Sequence, residues 1–419
     1  MAKIKKIEAR EILNAKGHPT VEVALVLADG TLATASSPGR TSLGGFEAAE
    51  VIDNDQDRYK GLGVLKAIEN IKSIIAPRII GIEVNKQQEI DKIMIELDGT
   101  QNKSRLGANA MLALSMVVSR AAAKSSALPL FVYLREFIKK EGNPLKIPTP
   151  IFNLLNGGKI AGGNLDFQSF LVIPVSSKPY SESLEMGANI YSTLRNDLGF
   201  KNLPTLVGDE GGFAPNLATN EDGLNIIKQS IENTAFRVGF DVFLGIDASS
   251  NSFYSEGKYK IKDSAMQFSS SDLTTYYENL NKKFHLLYLE DPLYEEDWNG
   301  WVDLTNRISA NTIVAGDHLT STNPYRLQIA LDKKAISGIV VKPSQVGTVI
   351  ETLAVVEVAR QAGLKIIVSA TSAETTDDFI ADFAAAVSSD YVKFGATARG
   401  ENVAKYNRLL EIEDQIKAL

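Results

Sequence analysis

The chain has 419 residues, 44% of them hydrophobic and 23% charged, and it contains no cysteine and only three histidines. Disulfides, thiolate nucleophiles, iron–sulfur clusters and cysteine–zinc sites are therefore excluded. His18, His285 and His318 are the only imidazoles, so chemistry is expected to rest on the 51 acidic and 44 basic side chains. A net charge of −7 argues against a general nucleic-acid or anionic-membrane binder. No apolar run reaches the ~18 residues that span a bilayer, and the first residues, Met-Ala-Lys-Ile-Lys-Lys-Ile-Glu, lack a signal-peptide apolar region. These features predict a cytoplasmic enzyme.

Residues 4–12, 20–27 and 31–35 alternate with strand periodicity, the last following the Asp29-Gly30 turn, and predict a three-stranded meander. Helical periodicity follows over 63–79, 85–97 and 107–124. Strands followed by helices predict an α+β domain over residues 1–130, with Pro129 and the stretch from Pro144 to Pro150 marking the passage onward. From about residue 140 to 419, short apolar strands recur, each closed by polar residues and usually followed by a helix. They include 167–174, 241–247, 285–291, 312–317, 338–342, 365–370 and 391–395. Such parallel βα units, about eight in number, predict a TIM-type α/β barrel.

The C-terminal ends of barrel strands converge on one face. Four successive ends carry Asp247, Glu290, Asp317 and Lys342, and a later one carries Lys393. Three converging carboxylates offer the hard oxygen donors that suit Mg²⁺. Lysines beside a divalent cation face lowered pKa values, as a neutral lysine base requires. The segment from Val207 to Asn216 adds a glycine-flanked acidic pair that places Glu210 near the same face. His18 and His285 read as structural.

The chain resembles the enolase family from its first strand almost to its last helix. The resemblance is carried by Gly17-His-Pro-Thr-Val-Glu22, Leu97-Asp-Gly-Thr-Gln-Asn-Lys103, Gly107-Ala-Asn-Ala110, Asn156-Gly-Gly158, the segment 207–216, Leu289-Glu-Asp-Pro292 and Ala404-Lys405. It implies an α+β capping domain in front of a barrel, and Mg²⁺ held by Asp247, Glu290 and Asp317. It further implies that Lys342 is the base for the α-proton and that Glu210 is the acid assisting departure of the β-hydroxyl. Gln168 and Lys393 become substrate contacts, and Ser42 joins a second Mg²⁺ that arrives with substrate when a lid closes.

The departures from the family pattern gather at the same site. Ile160 replaces a loop histidine, and Ser169 replaces a carboxylate that works beside Glu210. In Ser369-Ala-Thr-Ser-Ala-Glu-Thr375, Ala370 and Thr371 replace the histidine and the arginine of the phosphate grip, leaving Ser372. Losing a guanidinium–phosphate contact is expected to weaken binding on the order of 10²-fold. Arg40, Lys159 and His318 stand where the family has no such group, and are expected to rebuild the anion-binding side of the pocket for another substrate.

The resemblance also implies a homodimer in which Glu22 meets an arginine of the partner. That second position is Glu411 here, so a modified interface is expected. The first functional reading is a Mg²⁺-dependent lyase that abstracts the α-proton of a small 2-substituted carboxylate, with β-elimination. The second is ordinary phosphopyruvate hydratase activity in weakened form, and the third is a non-catalytic enolase-like binding protein.

Overall fold

The structure, a computed structural model, describes residues 2–39 and 45–418. Arg40 and Ser42 therefore lie outside the described residues. The chain opens with β1 (Ile4–Leu13), β2 (Pro19–Leu27) and β3 (Leu32–Ser36), an antiparallel meander in the order β1-β2-β3. Alternate β2 residues Val21, Val23, Leu25 and Leu27 are fully buried, as period-2 patterning requires. They back onto the helix Ala108–Ser125, whose small and aliphatic residues are buried along nearly its whole length.

The helix expected over 63–79 is one helical run of three parts, Leu65–Glu69, Asn70–Ile75 and Ala76–Ile79. The middle part has π geometry. Pro77 lacks an N–H and its ring crowds the carbonyl four residues back, and the wider turn ahead of it absorbs that. The other two expected helices are Gln87–Asp98 and Ala108–Ser125.

The second unit is a nine-stranded mixed sheet rolled into a nearly closed barrel. Its strands are β4 (Thr149–Pro150), β5 (Phe152–Asn156), β6 (Ser169–Pro174) and β7 (Val242–Asp247). After a small hairpin of β8 (Tyr254–Ser255) and β9 (Lys258–Tyr259) come β10 (Leu286–Glu290) and β11 (Ile313–Gly316). The last are β12 (Gly338–Val341), β13 (Lys365–Ser369) and β14 (Tyr391–Lys393). The order is β4-β14-β13-β12-β11-β10-β7-β6-β5. Because β4 and β5 flank Ile151 in one extended run, the two edges of the sheet meet, and Ile151 N–H donates to the Val392 carbonyl at 2.7 Å.

A uniform run of parallel βα units is not what forms. β5 and β6 pair antiparallel, as do β6 and β7. The glycine-rich link from 157 to 168 contains no crossover helix, so β6 must return beside β5 as a hairpin partner. Two helices, Tyr180–Phe200 and Asn220–Glu232, then separate β6 from β7. Two traverses of the barrel bring the chain back for a strand of opposite sense. From β7 onward the barrel pairs are parallel.

Inside the barrel, Ile151, Leu171, Ile173, Tyr288, Ala315, Val340 and Ile367 form a separate buried cluster. This apolar plug is the floor beneath the polar rim. The first unit grips that rim's edge through buried polar contacts. Arg120 spans Asp377 at 2.7 Å and Asp378, Lys103 meets Glu351 at 2.8 Å, and Asp91 accepts the Ile350 N–H at 3.1 Å.

Candidate active site

The barrel register delivers the ionisable residues to one face as a set. Glu290 lies opposite Asp247 across paired strands, and Ser369 lies opposite Lys393. Asp317 and Lys342 each follow a strand by one residue. Gln168 reaches the same rim from the other direction, because antiparallel β6 starts there with Ser169 opposite Asp247.

The side chains close into two linked ionic groups. Lys393 Nζ donates to Asp247 Oδ2 at 2.9 Å and to the two Glu290 oxygens at 2.7 and 2.6 Å. Lys342 Nζ donates to Asp317 Oδ2, whose other oxygen accepts from Gln345 Nε2 at 2.9 Å. Around them Ser249 Oγ and Gln168 Nε2 donate to Asp247 at 3.0 and 3.2 Å, and the Tyr288 hydroxyl donates to Glu290 at 2.6 Å. Asp247, Glu290, Asp317 and Lys393 are buried and Lys342 is partly so.

Burial and the neighbouring Asp247 charge push Glu290 up to about 8, against the pull of Lys393. Asp317 goes the other way: burial opposes its charge, yet Lys342, His318 and Lys393 together hold it below the ordinary carboxylate range. Burial also disfavours both ammonium groups, but Asp317 holds Lys342 above the ordinary lysine range, and Asp247 and Glu290 do the same for Lys393. A neutral Lys342 therefore needs the Asp317 charge to be engaged elsewhere.

Glu210 borders the same cleft, its Oε2 accepting from Asn153 Nδ2 at 2.6 Å and Ser169 Oγ at 3.2 Å. The glycines beside it are steric necessities. A side chain at Gly212 would meet Asn153 Oδ1 at 2.8 Å, and Gly211 sits at φ +85°. The cleft, with the solvent at its mouth, spans about 930 Å³ and is lined by the two lysines, Glu210, Asp317, Gln168 and His318. Lys16, Glu47, Lys159, Ile160, Ser344, Gln345, Ala370, Thr371 and Ser372 complete it.

His318 turns Nδ1 onto Asp291 Oδ2 at 2.6 Å, and the same carboxylate accepts the backbone N–H groups of Asp317 and His318 at 3.0 and 2.9 Å. Burial works against its charge, but Asp291 outweighs it and pushes the imidazole up to about 10. Among the described residues, the one group of three donors lying within 4.8 Å of one another is Asp291, Asp317 and His318. Asp247, Glu290 and Asp317 are not gathered so tightly; Lys393 bridges the first two.

Two family models cover almost the whole chain. The one described as "Enolase, N-terminal domain" matches residues 4–134, and the one described as "Enolase, C-terminal TIM barrel domain" matches residues 144–419. The chain belongs to the enolase family. Membership carries the family's fold and its general lyase chemistry, and enolases generally use Mg²⁺. Three buried carboxylates on neighbouring barrel strands fit such a hard cation by the chemistry of their donors.

The other rim of this cleft is built from short side chains and one lysine. Thr371 Oγ1 donates to the Gly39 carbonyl at 3.3 Å and its N–H donates to Glu374 at 3.0 Å, so a short neutral side chain ties the strand end to the first domain. Lys159 stands on the short turn Gly158–Ala161 and, among the described residues, forms no carboxylate pair. Every other lysine of the cleft is paired, Lys16 with Asp209 at 2.7 Å. Glu22 accepts from Arg10 of its own chain at 2.5 Å, and Glu411 from Arg408 at 2.8 Å.

Sequence reasoning missed Lys16, Glu47, Gln345, Asn153 and Asp291. For Gln345 a local signal exists: Pro343 starts a tight turn directly after Lys342, which folds Gln345 back onto Asp317. Glu47 and Lys16 come from the first domain, and no spacing in the chain announces that they face the barrel.

Proposed function

We propose that this enolase-family chain is a Mg²⁺-dependent carbon–oxygen lyase of the hydro-lyase type. It removes the α-proton of a bound 2-substituted carboxylate and expels a β-substituent, on a substrate other than, or in addition to, 2-phosphoglycerate. One observation carries the reading. Lys342 and Lys393 meet three buried carboxylates on one rim, while Ala370 and Thr371 line the other, to which the resemblance assigns the phosphate grip.

Asp247, Glu290 and Asp317 would hold Mg²⁺, with Ser42 serving a second ion. Mg²⁺ when bound neutralises the charge that builds on the substrate carboxylate as the α-proton leaves. Lys342 accepts that proton at Nζ, which requires its ion pair with Asp317 to be relieved. Lys393 and Gln168 orient the carboxylate. Glu210, steadied by Asn153 and Ser169, delivers a proton to the departing β-oxygen. Lys159, Arg40 and His318 receive the substrate's remaining polar or anionic end, Lys159 as the cleft cation whose charge no described carboxylate answers. Oligomers of this chain form through an interface that does not use the Glu22 contact in its usual form, because Glu22 and Glu411 are both acidic.

Ordinary phosphopyruvate hydratase activity in weakened form is the second reading, favoured by Ser372, Lys393 and Lys342 together in the cleft. The test is solvent deuterium exchange into a panel of 2-substituted carboxylates with Mg²⁺, with Lys342→Ala as control. Exchange into at least one acid that the variant fails to label supports the proposal. No exchange across the panel overturns it in favour of a binding protein.

A further inference from the structure

Behind the charged groups of the cleft runs a closed ring of hydrogen bonds that begins and ends at Lys342. The Lys342 N–H donates to Thr322 Oγ1 at 3.0 Å, and the Thr322 hydroxyl donates to Gln345 Oε1 at 2.6 Å. Gln345 Nε2 donates to Asp317 Oδ1 at 2.9 Å, and Asp317 Oδ2 accepts from Lys342 Nζ. The direction of each link is fixed. A carboxylate only accepts, so the Gln345 NH₂ group faces Asp317, its oxygen faces Thr322, and the Thr322 hydroxyl must donate.

The backbone is strained where the ring is built. Ser321 and Thr322 are consecutive buried residues at φ +49° and +50°. A β-branched residue seldom adopts that conformation, and it persists only where the surroundings over-determine it. Gln345 comes from the tight turn after Pro343, its N–H donating to the Lys342 carbonyl at 3.0 Å. Two further contacts reach outside the barrel. Gln345 Nε2 also approaches Glu47 Oε1 at 3.4 Å, and the Gln345 carbonyl accepts the Ala48 N–H at 2.9 Å. Both partners belong to the first domain, which therefore clamps one member of the ring.

Packing alone would not route such a ring through Asp317. In the proposed function Lys342 must leave its pairing with Asp317 before Nζ can take a proton. The carboxylate must then neither follow the ammonium nor turn away from the cation it would ligate. An amide donor held on its other oxygen prevents both, and groups that orient a metal ligand also tune the affinity for the metal.

We infer that Thr322 and Gln345 are positioning residues for proton abstraction. They fix the Asp317 carboxylate and the Lys342 backbone relative to one another, and Glu47 and Ala48 of the first domain hold Gln345 in place. Their role rests on the proposed function of Lys342 and Asp317.

Two measurements on the full chain test this: α-proton exchange into 2-substituted carboxylates with Mg²⁺, and calorimetric titration with Mg²⁺ alone. Gln345→Met and Thr322→Val keep the side chains' shape and remove their hydrogen bonds. Both are expected to slow exchange by about 10- to 10²-fold, with the half-saturating substrate concentration nearly unchanged. Gln345→Met is also expected to weaken Mg²⁺ binding by about 10- to 10²-fold. Thr322→Ser keeps the hydroxyl and is expected to recover most of what Thr322→Val loses, a comparison that stands if Gln345→Met fails to fold. Wild-type Mg²⁺ affinity in Gln345→Met overturns the assignment, and so does Thr322→Ser as slow as Thr322→Val. A lowered melting temperature with exchange and Mg²⁺ affinity both unchanged overturns it too, because the ring would then serve stability alone. A wild-type chain that binds Mg²⁺ but labels no acid contradicts the proposed function instead, and the ring then stands or falls on the Gln345→Met titration.

Discussion

The two rims of the catalytic cleft are built differently. On one, Asp247, Glu290, Asp317, Lys342 and Lys393 come from strand ends whose positions are set by backbone pairing and by the apolar plug below. On the other, Lys159, Ile160, Ala370, Thr371 and Ser372 sit on turns and loop starts. The rigid rim carries the three carboxylates and two lysines to which the proposed function gives metal binding and proton abstraction. The loop rim presents short neutral side chains and a lysine, and the proposed function reads this as an altered phosphate grip. The proposed function thus assigns the chemistry to the scaffold and the selectivity to the loops.

The largest effect that sharpens this division belongs to Glu210. Glu210→Gln keeps the hydrogen bonds' geometry but removes the proton. It is expected to slow β-elimination by about 10²–10⁴-fold while leaving α-proton exchange within a few-fold, as a comparison of product formation with deuterium incorporation would show. Equal losses in both would mean that Glu210 serves the first step as well.

Next in size is Thr371→Arg, which restores a guanidinium to the loop rim. Affinity for 2-phosphoglycerate is expected to rise on the order of 10- to 10²-fold, measured by direct titration. An unchanged affinity would show that the loop rim's backbone, rather than residue 371, has moved away from the phosphate position.

The smallest lies at the domain seam. Asp91 is buried between Gln87, Ser115 and the start of the helix Val349–Gln361, accepting from Gln87 Nε2 at 3.0 Å, Ser115 Oγ at 2.9 Å and Ile350 N–H at 3.1 Å. Burial, against those hydrogen bonds, pushes it up to about 7. A carboxyl raised in the folded state contributes stability that is full below its unfolded value and is lost as pH rises through the folded value. The melting temperature of the wild type relative to Asp91→Asn should therefore fall between about pH 4 and pH 7. A wild-type melting temperature that rises relative to Asp91→Asn over that range would contradict a protonated Asp91.

The same contrast decides what could be read from the residues. Asp247, Glu290, Asp317, Lys342 and Lys393 were legible because each closes an apolar strand pattern, and a barrel brings such ends together. The sense of β6 was not legible, since alternation has no direction. Only the short helix-free link from 157 to 168 and the two helices after β6 determine it. Gln345, Glu47 and Lys16 escaped because their roles depend on packing one domain against the other. The ion pairing of both lysines with the expected metal ligands also escaped, because spacing gives which groups converge but not how their charges partition.

The central claim is that the rigid rim abstracts an α-proton even though the phosphate grip has changed. Deuterium incorporation at the α-carbon of 2-substituted carboxylates, followed by NMR with Mg²⁺ and after chelation, addresses it most directly. The account predicts exchange for at least one acid, its loss on chelation with recovery on adding Mg²⁺, and a drop of about 10²–10⁴-fold in Lys342→Ala. Exchange that persists undiminished in Lys342→Ala or without metal would contradict it.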